Sequence, residues 1–312
     1  MSGKHRPPRV VGVGNASIDV VFGVDRLLER AGKHFAHRHF VGAGGVASNG
    51  LVAAARLGAR AALIGRVGDD DWGRRIIEEL ERGGVDTAYV ARRAGVGSAV
   101  STVIVDNRGE RQILNYTDPV LFAGTAGACF DAIDGADCVL ADLRWPAGLS
   151  AALERARDLG LPALIDFDLS PDTGTEVALE LATHIVFSQP ALARMTGKSA
   201  PADGLEALSN RTRALIGVTA GEQGAYWLEA GELMHQPAFE VDARDTTGAG
   251  DVFHGALALA IAEGWSAPEG MRFAAAAAAI KCTGDGVRRA MPDRATVDTF
   301  LRCHRDGAPA AN

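Results

Sequence analysis

The segment Asp245-Thr-Thr-Gly-Ala-Gly-Asp251 runs directly into an apolar, alanine-rich stretch that ends at Ala262. The stretch is typical of a buried helix, and the glycines before it leave backbone N–H groups without partners at the helix N-terminus. Gly248–Gly250 therefore predicts a binding site for a phosphate group. Taken alone, Asp251 has the position of an ordinary helix-start acid. Beside the glycines it can take a proton from a hydroxyl that attacks the phosphate.

The rest of the chain alternates short β-branched runs with amphipathic helical patterns. The runs are apolar at consecutive positions, which is typical of strands covered on both faces in a parallel sheet. The predicted strands are Val10–Val13, Ala61–Val67, Cys138–Asp142, Ala163–Asp168, Ile185–Ser188 and Leu215–Thr219. The predicted helices are Ser48–Leu57, Trp72–Arg82, Ser150–Asp158, Glu176–Ala182 and Gly204–Arg213. This alternation predicts an α/β fold, a three-layer αβα sandwich around a mostly parallel sheet.

Two segments, Phe22–Val41 and Ser98–Asn115, break the alternation. The second alternates along its length on either side of a turn at Asn107–Gly109, which predicts a hairpin. We expect strands from about residues 16–41 and 98–117 to form a small β-sheet lid over the carboxyl ends of the main strands. The chain, residues 1–312, is then expected to be a single domain with this lid.

The composition excludes several classes of function. With 32 basic against 39 acidic residues and a net charge of −7, the chain lacks the clustered basic surface that nucleic acid requires. Neither a signal-peptide core nor a run of about 20 apolar residues for a membrane helix is present, so we expect a cytoplasmic protein that contacts no membrane. The four cysteines show no Cys-x-x-Cys spacing and are expected to be small, buried or half-buried thiols.

Two further glycine-rich segments suit close approach to a ligand. Val41–Asn49 precedes a helix, and Thr219–Gly224 follows a strand. Each alone is equally typical of a tight turn. Competing nucleotide motifs fail, because a Walker loop ending at Gly197-Lys198-Ser199 needs glycine where Leu192 stands, and a dinucleotide fingerprint needs glycine at Ser17.

In this order and spacing, Gly42–Gly68, Thr219–Gly224 and Asp245–Asp251 resemble the ribokinase family of carbohydrate kinases, also called the phosphofructokinase B family. The resemblance covers nearly the whole chain and implies a ribokinase-like fold, phosphorylation of a sugar hydroxyl by ATP with Mg²⁺, and a homodimer paired through lid strands. It implies the following roles: Asp251 as catalytic base; Gly248, Ala249 and Gly250 as the anion hole; Thr219, Gly221, Gly224, Ala278 and Cys282 near the nucleotide; and Asn15, Asp19, Gly44, Gly45 and Asn49 around the sugar. The alanine-rich stretch with Ala278 and Cys282 is also typical of ordinary packing.

The chain departs from the family at one place. Many relatives carry Asn-x-x-Glu, linked to the magnesium ion, where this chain has Ser188-Gln-Pro-Ala191. Neither Ser188 nor Ala191 replaces that carboxylate. The metal ligands therefore stay unassigned, and the ion is either organised by other groups or bound mainly by nucleotide and water.

A finer resemblance concerns the sugar that accepts the phosphoryl group. Five segments together resemble the sulfofructose kinases of bacterial sulfoglycolysis: Gly32-Lys33, Ile113–Tyr116, Leu140–Trp145, Phe187–Gly197 and His235–Phe239. The resemblance implies phosphorylation of 6-deoxy-6-sulfofructose at its 1-hydroxyl, with the sulfonate held by Lys33, Asn115 and Arg144. These residue types suit a tetrahedral oxyanion, although cations such as Lys33 and Arg144 are also typical of a solvated surface.

Two alternatives remain open. The first is a kinase for another acceptor, such as fructose, a ketose phosphate or a nucleoside, because a sulfonate and a phosphate attract similar side chains. The second is a catalytically silent sugar-binding protein, suggested by the missing Asn-x-x-Glu. The intact segment that ends at Asp251 argues against it.

Overall fold

The structure, a computed structural model, describes residues 6–170 and 174–304. The strands are β1 (Arg9–Gly14), β2 (Ser17–Gly23), β3 (Arg38–Gly44), β4 (Arg60–Gly68), β5 (Val85–Asp86), β6 (Val90–Arg93), β7 (Ala99–Val105), β8 (Arg111–Tyr116), β9 (Cys138–Asp142), β10 (Ala163–Phe167), β11 (His184–Ser188), β12 (Leu215–Thr219), β13 (Ala225–Glu229) and β14 (Glu232–Gln236). The α-helices are α1 (Val46–Arg56), α2 (Asp71–Arg82), α3 (Pro146–Asp158), α4 (Thr175–Leu181), α5 (Gln189–Thr196), α6 (Pro201–Leu208), α7 (Ala249–Ala262), α8 (Ala267–Cys282) and α9 (Arg294–Cys303).

Ten strands form the main sheet in the order β14-β13-β12-β11-β10-β9-β1-β4-β5, with β6 also paired to β4. Strands β1, β4 and β9–β12 are parallel, while β13 and β14 add antiparallel pairs at one edge. The strand order reverses at β1, which lies between β4 and β9. Ligands of open α/β sheets bind in the crevice outside the carboxyl ends of strands at such a reversal.

The central strands separate two hydrophobic cores. On β1 and β10, Val10 and Leu164 belong to a core with helices α1, α7 and α8. The neighbouring residues Val11 and Ile165 belong to a second core with helices α3 to α6. Because successive side chains of a strand point to opposite faces, helices cover both faces of the sheet. The predicted αβα sandwich with a mostly parallel sheet is therefore confirmed.

A separate four-stranded sheet, β3-β2-β7-β8, is built from the two segments that break the helical rhythm. It confirms the predicted small sheet, and β7 and β8 flank the predicted turn at Asn107–Gly109. The prediction that Phe22–Val41 forms strand is wrong for most of its length, because β2 ends at Gly23 and β3 begins at Arg38. Residues 24–37 form a loop without strand, and β3 pairs with β2 from Arg38 onward.

Some elements were misjudged or missed. The helix predicted over Gly204–Arg213 is α6, which begins at Pro201 and ends at Leu208 because Ser209 and Asn210 turn the chain. The β13–β14 hairpin was missed, as were α5 and α9. Cys129 and Cys303 are exposed, so the prediction of buried or half-buried thiols holds only for the other two cysteines. Within residues 6–170 and 174–304, no helix is long and apolar enough to cross a membrane.

Candidate active site

Polar side chains gather where the parallel strands end. Asn15 follows β1, Asp142 ends β9, Asp168 follows β10, Ser188 ends β11 and Thr219 ends β12. The buried Asp142 carboxylate accepts hydrogen bonds from the backbone N–H groups of Asn15, at 2.9 Å, and Arg144, at 2.8 Å. It thereby joins the carboxyl ends of β1 and β9, which are neighbours in the main sheet.

Asp251 lies in the first turn of α7, as predicted. Its Oδ2 accepts a hydrogen bond of 2.7 Å from Nδ2 of the buried Asn49 in α1. Burial, followed by the negative charge of Asp166, raises the pKa of Asp251 to about 8, although the Asn49 donor opposes this rise. A carboxyl group with a pKa in this range can exchange a proton near neutral pH.

The N-terminus of α7 is open in front of its glycines. Gly248 caps the helix in the left-handed conformation, with φ of 74°, and no side chain caps the first-turn N–H groups. A Cβ on Gly250 would meet no atom within 4 Å, whereas one on Gly248 would overlap Val287. Backbone donors, a helix dipole and open space together suit a phosphate group, as the sequence predicts for Gly248, Ala249 and Gly250, although the Ala249 N–H already donates to the Thr246 oxygen at 3.2 Å.

The structure brings together the residues expected around the sugar. A Cβ on Gly45 would lie 2.6 Å from the backbone oxygen of Asn15, and one on Gly44 would overlap the Asp19 carboxylate. Gly45 also has φ of 99°, which only glycine adopts without strain. Burial raises the pKa of Asp19, and Ser17 and Ser101 donate hydrogen bonds that oppose the rise. The turn before α1 therefore packs against the Asn15 backbone and the Asp19 carboxylate, and these residues define the candidate sugar cleft.

Arg288 enters this cleft, although the sequence analysis did not single it out. Its Nε donates to Oδ1 of Asn49 at 2.9 Å, and its Nη2 donates to Oγ of Ser48 at 3.0 Å. Burial lowers the pKa of the guanidinium to about 10, so it stays charged at neutral pH. No local pattern marks this arginine, because its partners lie about 240 positions earlier in the chain.

The three residues expected to hold the sulfonate are less closely grouped. Asn115 is exposed on β8 opposite Ser101, which lies opposite Asp19 on β2. Arg144 follows β9 and donates from Nη2 to the backbone oxygen of Leu169 at 3.0 Å. Lys33 is exposed in the loop between β2 and β3. In residues 6–170 and 174–304, no hydrogen bond joins any two of Lys33, Asn115 and Arg144.

The residues expected near the nucleotide differ in what constrains them. Gly221, with φ of 55°, would meet nothing within 4 Å if it carried a Cβ. Gly224, with φ of 87°, is constrained by packing instead, because a Cβ there would overlap the backbone of residues 236–238. The Thr219 hydroxyl donates to the Phe187 oxygen at 3.4 Å. Gly221 therefore borders open space, whereas glycine at 224 is explained without a ligand.

The end of α8 is joined to the start of the glycine loop. Ala278 and Cys282 lie on this helix, and the backbone oxygen of Cys282 accepts from the N–H groups of Arg244, at 2.8 Å, and Asp245, at 3.2 Å. Lys281, which is fully buried, donates from Nζ to the backbone oxygen of Asp245 at 2.6 Å. These contacts hold the segment before Gly248 against α8.

Carboxylates near Asp251 are candidates for holding Mg²⁺. Burial and the nearby Asp168 raise the pKa of Asp166 well above its usual value, and Asp166 Oδ2 lies 3.0 Å from Nδ1 of His254. The Ser188 hydroxyl donates to Asp168 at 2.7 Å. In the described part of the chain, no three His, Cys, Asp or Glu side chains are grouped closely enough to form a metal site. Asp166 and Asp168 would therefore need oxygens from a nucleotide to complete the coordination.

The small sheet contacts the glycine loop directly, through a second residue that the sequence patterns did not indicate. Arg111, at the start of β8, donates from Nη1 to Thr247 Oγ1 at 2.9 Å and from Nη2 to Thr246 Oγ1 at 3.2 Å. The guanidinium thus stands beside the segment that opens α7. The residues beside Arg111 in the sequence do not indicate this contact, because Thr246 lies 135 positions later in the chain.

This geometry agrees with the comparisons with known proteins. The model of the pfkB family of carbohydrate kinases matches residues 8–294. The chain is 32% identical to a ribokinase of Mus musculus over 271 residues, 81% of each chain, and 27% identical to a deoxyribokinase of Salmonella typhi, over 93% of this chain and 97% of that enzyme. A solved structure from Agrobacterium tumefaciens, provisionally named a ribokinase, is 39% identical with a TM-score of 0.90, over 96% of this chain and 99% of that one.

The chain therefore belongs to the pfkB family of carbohydrate kinases. Its fold is ribokinase-like, with a small separate sheet beside the mostly parallel main sheet. As a member of this family it is an ATP-dependent sugar kinase, and it uses ATP with Mg²⁺.

Proposed function

We propose that the chain transfers the terminal phosphoryl group of ATP to the 1-hydroxyl of 6-deoxy-6-sulfofructose, with Asp251 as the general base. The observation that carries the chemistry is the Asp251 carboxyl group, which has a pKa of about 8 and accepts from Asn49 at 2.7 Å. It lies one residue from the open N-terminal turn at Gly248–Gly250. A base and an anion site this close together suit attack by a hydroxyl on a phosphate.

In this proposal the backbone donors of Gly248, Ala249 and Gly250 hold the transferring phosphoryl group. Asp251 takes the proton of the 1-hydroxyl as its oxygen bonds to phosphorus, and the bond to ADP breaks. Mg²⁺ neutralises charge on the phosphates when it is bound, and Asp166 and Asp168 would hold it together with the nucleotide. Phosphoryl transfer depends mainly on positioning and charge neutralisation, so these groups suffice.

The sulfonate specificity rests on Lys33, Asn115 and Arg144. Arg144 follows β9 at the edge where the parallel strands end, and Asn115 shares a row of the lid with Asp19. Both positions support contact with the far end of a sugar whose 1-hydroxyl faces Asp251. Lys33 lies in an exposed loop and would have to move onto the substrate with the lid.

A kinase for a neutral sugar is the second candidate. Arg144 already donates to the Leu169 oxygen, and the relatives at 32% and 27% identity are a ribokinase and a deoxyribokinase. In that case Arg144 supports the loop after β10 rather than the substrate. Fructose and a nucleoside are further neutral acceptors, whereas a ketose phosphate is anionic and would use Arg144 as a sulfonate does.

A substrate panel tests the choice of acceptor. Purified protein with ATP and Mg²⁺ is given 6-deoxy-6-sulfofructose, fructose, fructose 6-phosphate, ribose and deoxyribose, and the phosphorylated products are measured by mass spectrometry. We expect the highest kcat/KM with sulfofructose. Much faster phosphorylation of any other sugar would exclude the proposed substrate while leaving the kinase assignment intact.

Two variants test the residue roles. Arg144→Met should lower kcat/KM for sulfofructose at least tenfold, because a hydrogen bond to a charged group contributes about 1.5–3 kcal/mol. Arg194→Met, on the exposed side of α5, is the matched control. Asp251→Asn should lower kcat by about 10² to 10⁴ with ATP binding retained. A protein that binds sugar but never phosphorylates any of the panel would instead be a silent binding protein.

We also propose a cytoplasmic homodimer that pairs through the lids. The lid sheet and its loop expose large apolar side chains, including Phe35, which is 84% exposed, and Leu114, which is 74% exposed. Tyr116 lies two residues from Leu114 on β8, on the same face of the small sheet, and is also exposed. A patch of this kind is typical of a surface that another chain covers.

A further inference from the structure

Two buried polar atoms in the candidate sugar cleft have no hydrogen-bond partner. They are Oδ1 of Asn15 and Nη1 of Arg288, and the described residues contain a third such atom at Arg66, away from this cleft. Both residues border the same turn, because Gly45 packs on the Asn15 backbone while Arg288 donates to Ser48 and Asn49. A buried polar atom without a partner is costly, so a pair of them in one cleft indicates a missing polar ligand.

Arg288 also determines which way the Asn49 amide faces. A guanidinium can only donate hydrogen bonds, so the atom of Asn49 that it contacts at 2.9 Å must be the oxygen. The amide nitrogen then points to Asp251 and donates at 2.7 Å. If the amide turned over, both contacts would be lost, because two donors would face each other at Arg288.

The charge of Arg288 is balanced within the cleft. Glu79, Asp19 and Asp251 all interact favourably with it, whereas Arg56 repels it. Glu79 is already engaged, since it accepts from Arg75 at 2.9 Å and from the Ala43 N–H at 2.7 Å. Arg288 therefore interacts favourably both with Asp19, which is expected to bind the sugar, and with Asp251, which is expected to take its proton.

We propose that Arg288 is a specificity-determining and positioning residue of the acceptor site. Its unpartnered Nη1–H donates to a sugar hydroxyl adjacent to the one that is phosphorylated, and its Nε–H holds Asn49 in the orientation that donates to Asp251. A sugar hydroxyl both accepts and donates, so a polyhydroxylated acceptor can satisfy Nη1 of Arg288 and Oδ1 of Asn15. The inference rests on the proposed function, because it takes Asp251 as the base.

Removing Arg288 should have separable effects on binding and on chemistry. An acceptor that lacks the contacted hydroxyl leaves the Nη1–H buried without a partner, so the unaltered enzyme discriminates strongly against it. Without Arg288 that discrimination disappears. Loss of the positive charge and of the fixed Asn49 donor also makes Asp251 harder to ionise, which moves the pH midpoint of activity upward.

The experiment compares Arg288→Met and Arg288→Lys with Arg289→Met, a change at the exposed neighbouring arginine. Acceptor binding is measured by calorimetry in the presence of ADP, where no turnover occurs. The probes are 6-deoxy-6-sulfofructose, or the best sugar of the panel, and its 3-deoxy and 2,5-anhydro analogues. We expect at least tenfold weaker acceptor binding in Arg288→Met, and loss of discrimination against one analogue. Arg288→Lys should be intermediate, and Arg289→Met should match the unaltered enzyme.

Turnover is measured on the same proteins. We expect Arg288→Met to raise the acceptor KM and the pH midpoint of kcat while the KM for ATP changes less than twofold. Acceptor binding within twofold of the unaltered enzyme, or unchanged discrimination against both analogues, would overturn the proposal. If Arg288→Met does not fold, the same comparison with Arg288→Lys decides it. Calorimetry needs no base, so an active Asp251→Asn variant would exclude the proposed mechanism without affecting the binding result.

Discussion

The pKa of Asp251 leads to a quantitative prediction for the pH dependence of activity. Burial and the charge of Asp166 raise this pKa to about 8, and only the ionised carboxylate accepts a proton from the acceptor. With that pKa, about a tenth of the Asp251 carboxyl groups are ionised at pH 7 and about nine-tenths at pH 9. The rate should therefore rise roughly tenfold between these two pH values and level off above them.

The assay uses ATP with Mg²⁺ and acceptor at concentrations far below their Michaelis constants, so that the rate reports ionisation of the free enzyme. Product is quantified by mass spectrometry, which removes any coupling enzyme with its own pH dependence. Asn49→Leu provides the internal comparison. It removes a hydrogen bond that favours the ionised carboxylate, so the midpoint should move to higher pH.

Three outcomes would contradict this account of Asp251. The first is a rate that is flat or falls between pH 7 and pH 9. The second is a midpoint near the ordinary pKa of an aspartate, about 4, which would show that burial does not control this group. The third is an Asn49→Leu midpoint that moves to lower pH, since the Asn49 donor would then not be stabilising the carboxylate.

Three further predictions concern other parts of the molecule. Gly248→Ala should lower the free energy of unfolding in urea by at least about 1–2 kcal/mol, since φ is 74° and the Cβ would overlap Val287; unchanged stability would contradict this. Lys281→Met leaves the partly buried Asp245 oxygen without its donor and should cost about 1–3 kcal/mol in the same assay, and an equally stable variant would show that this contact contributes nothing. Leu114→Glu should turn a dimer into a monomer in sedimentation, whereas Leu159→Glu, at the exposed residue that follows α3, should not; a dimer that survives Leu114→Glu does not pair through the lid.

Much of the main sheet was predictable because its strands are buried on both faces. Strands β9 and β12 have the predicted bounds, since consecutive apolar residues signal a covered parallel strand. The β13–β14 hairpin lies at the sheet edge and turns at Ala230-Gly231, both with positive φ. Alanine rarely adopts that conformation, so the sequence carried no turn signal there.

The residues of the candidate site also divide into those that a local motif predicts and those that only the folded structure reveals. The glycines before α7 and the acid that follows them form a local motif, whose meaning comes from the dipole and N–H groups of one helix end. Arg111 and Arg288 are two of many arginines in the sequence, and nothing beside them indicates a ligand. They become notable only when folding brings them to Thr247 and Asn49.

Local chemistry in the sequence was sufficient for the fold class and for the candidate base, because burial pattern and helix-end geometry depend on adjacent residues. The environment of that base depended on folding. Its pKa of about 8 arises from burial and from the negative charge of Asp166, and its hydrogen bond comes from Asn49, 202 positions away. The orientation of Asn49 depends in turn on Arg288. Electrostatic energies depend on distance in space and on exclusion of water, and neither quantity is set by separation along the chain.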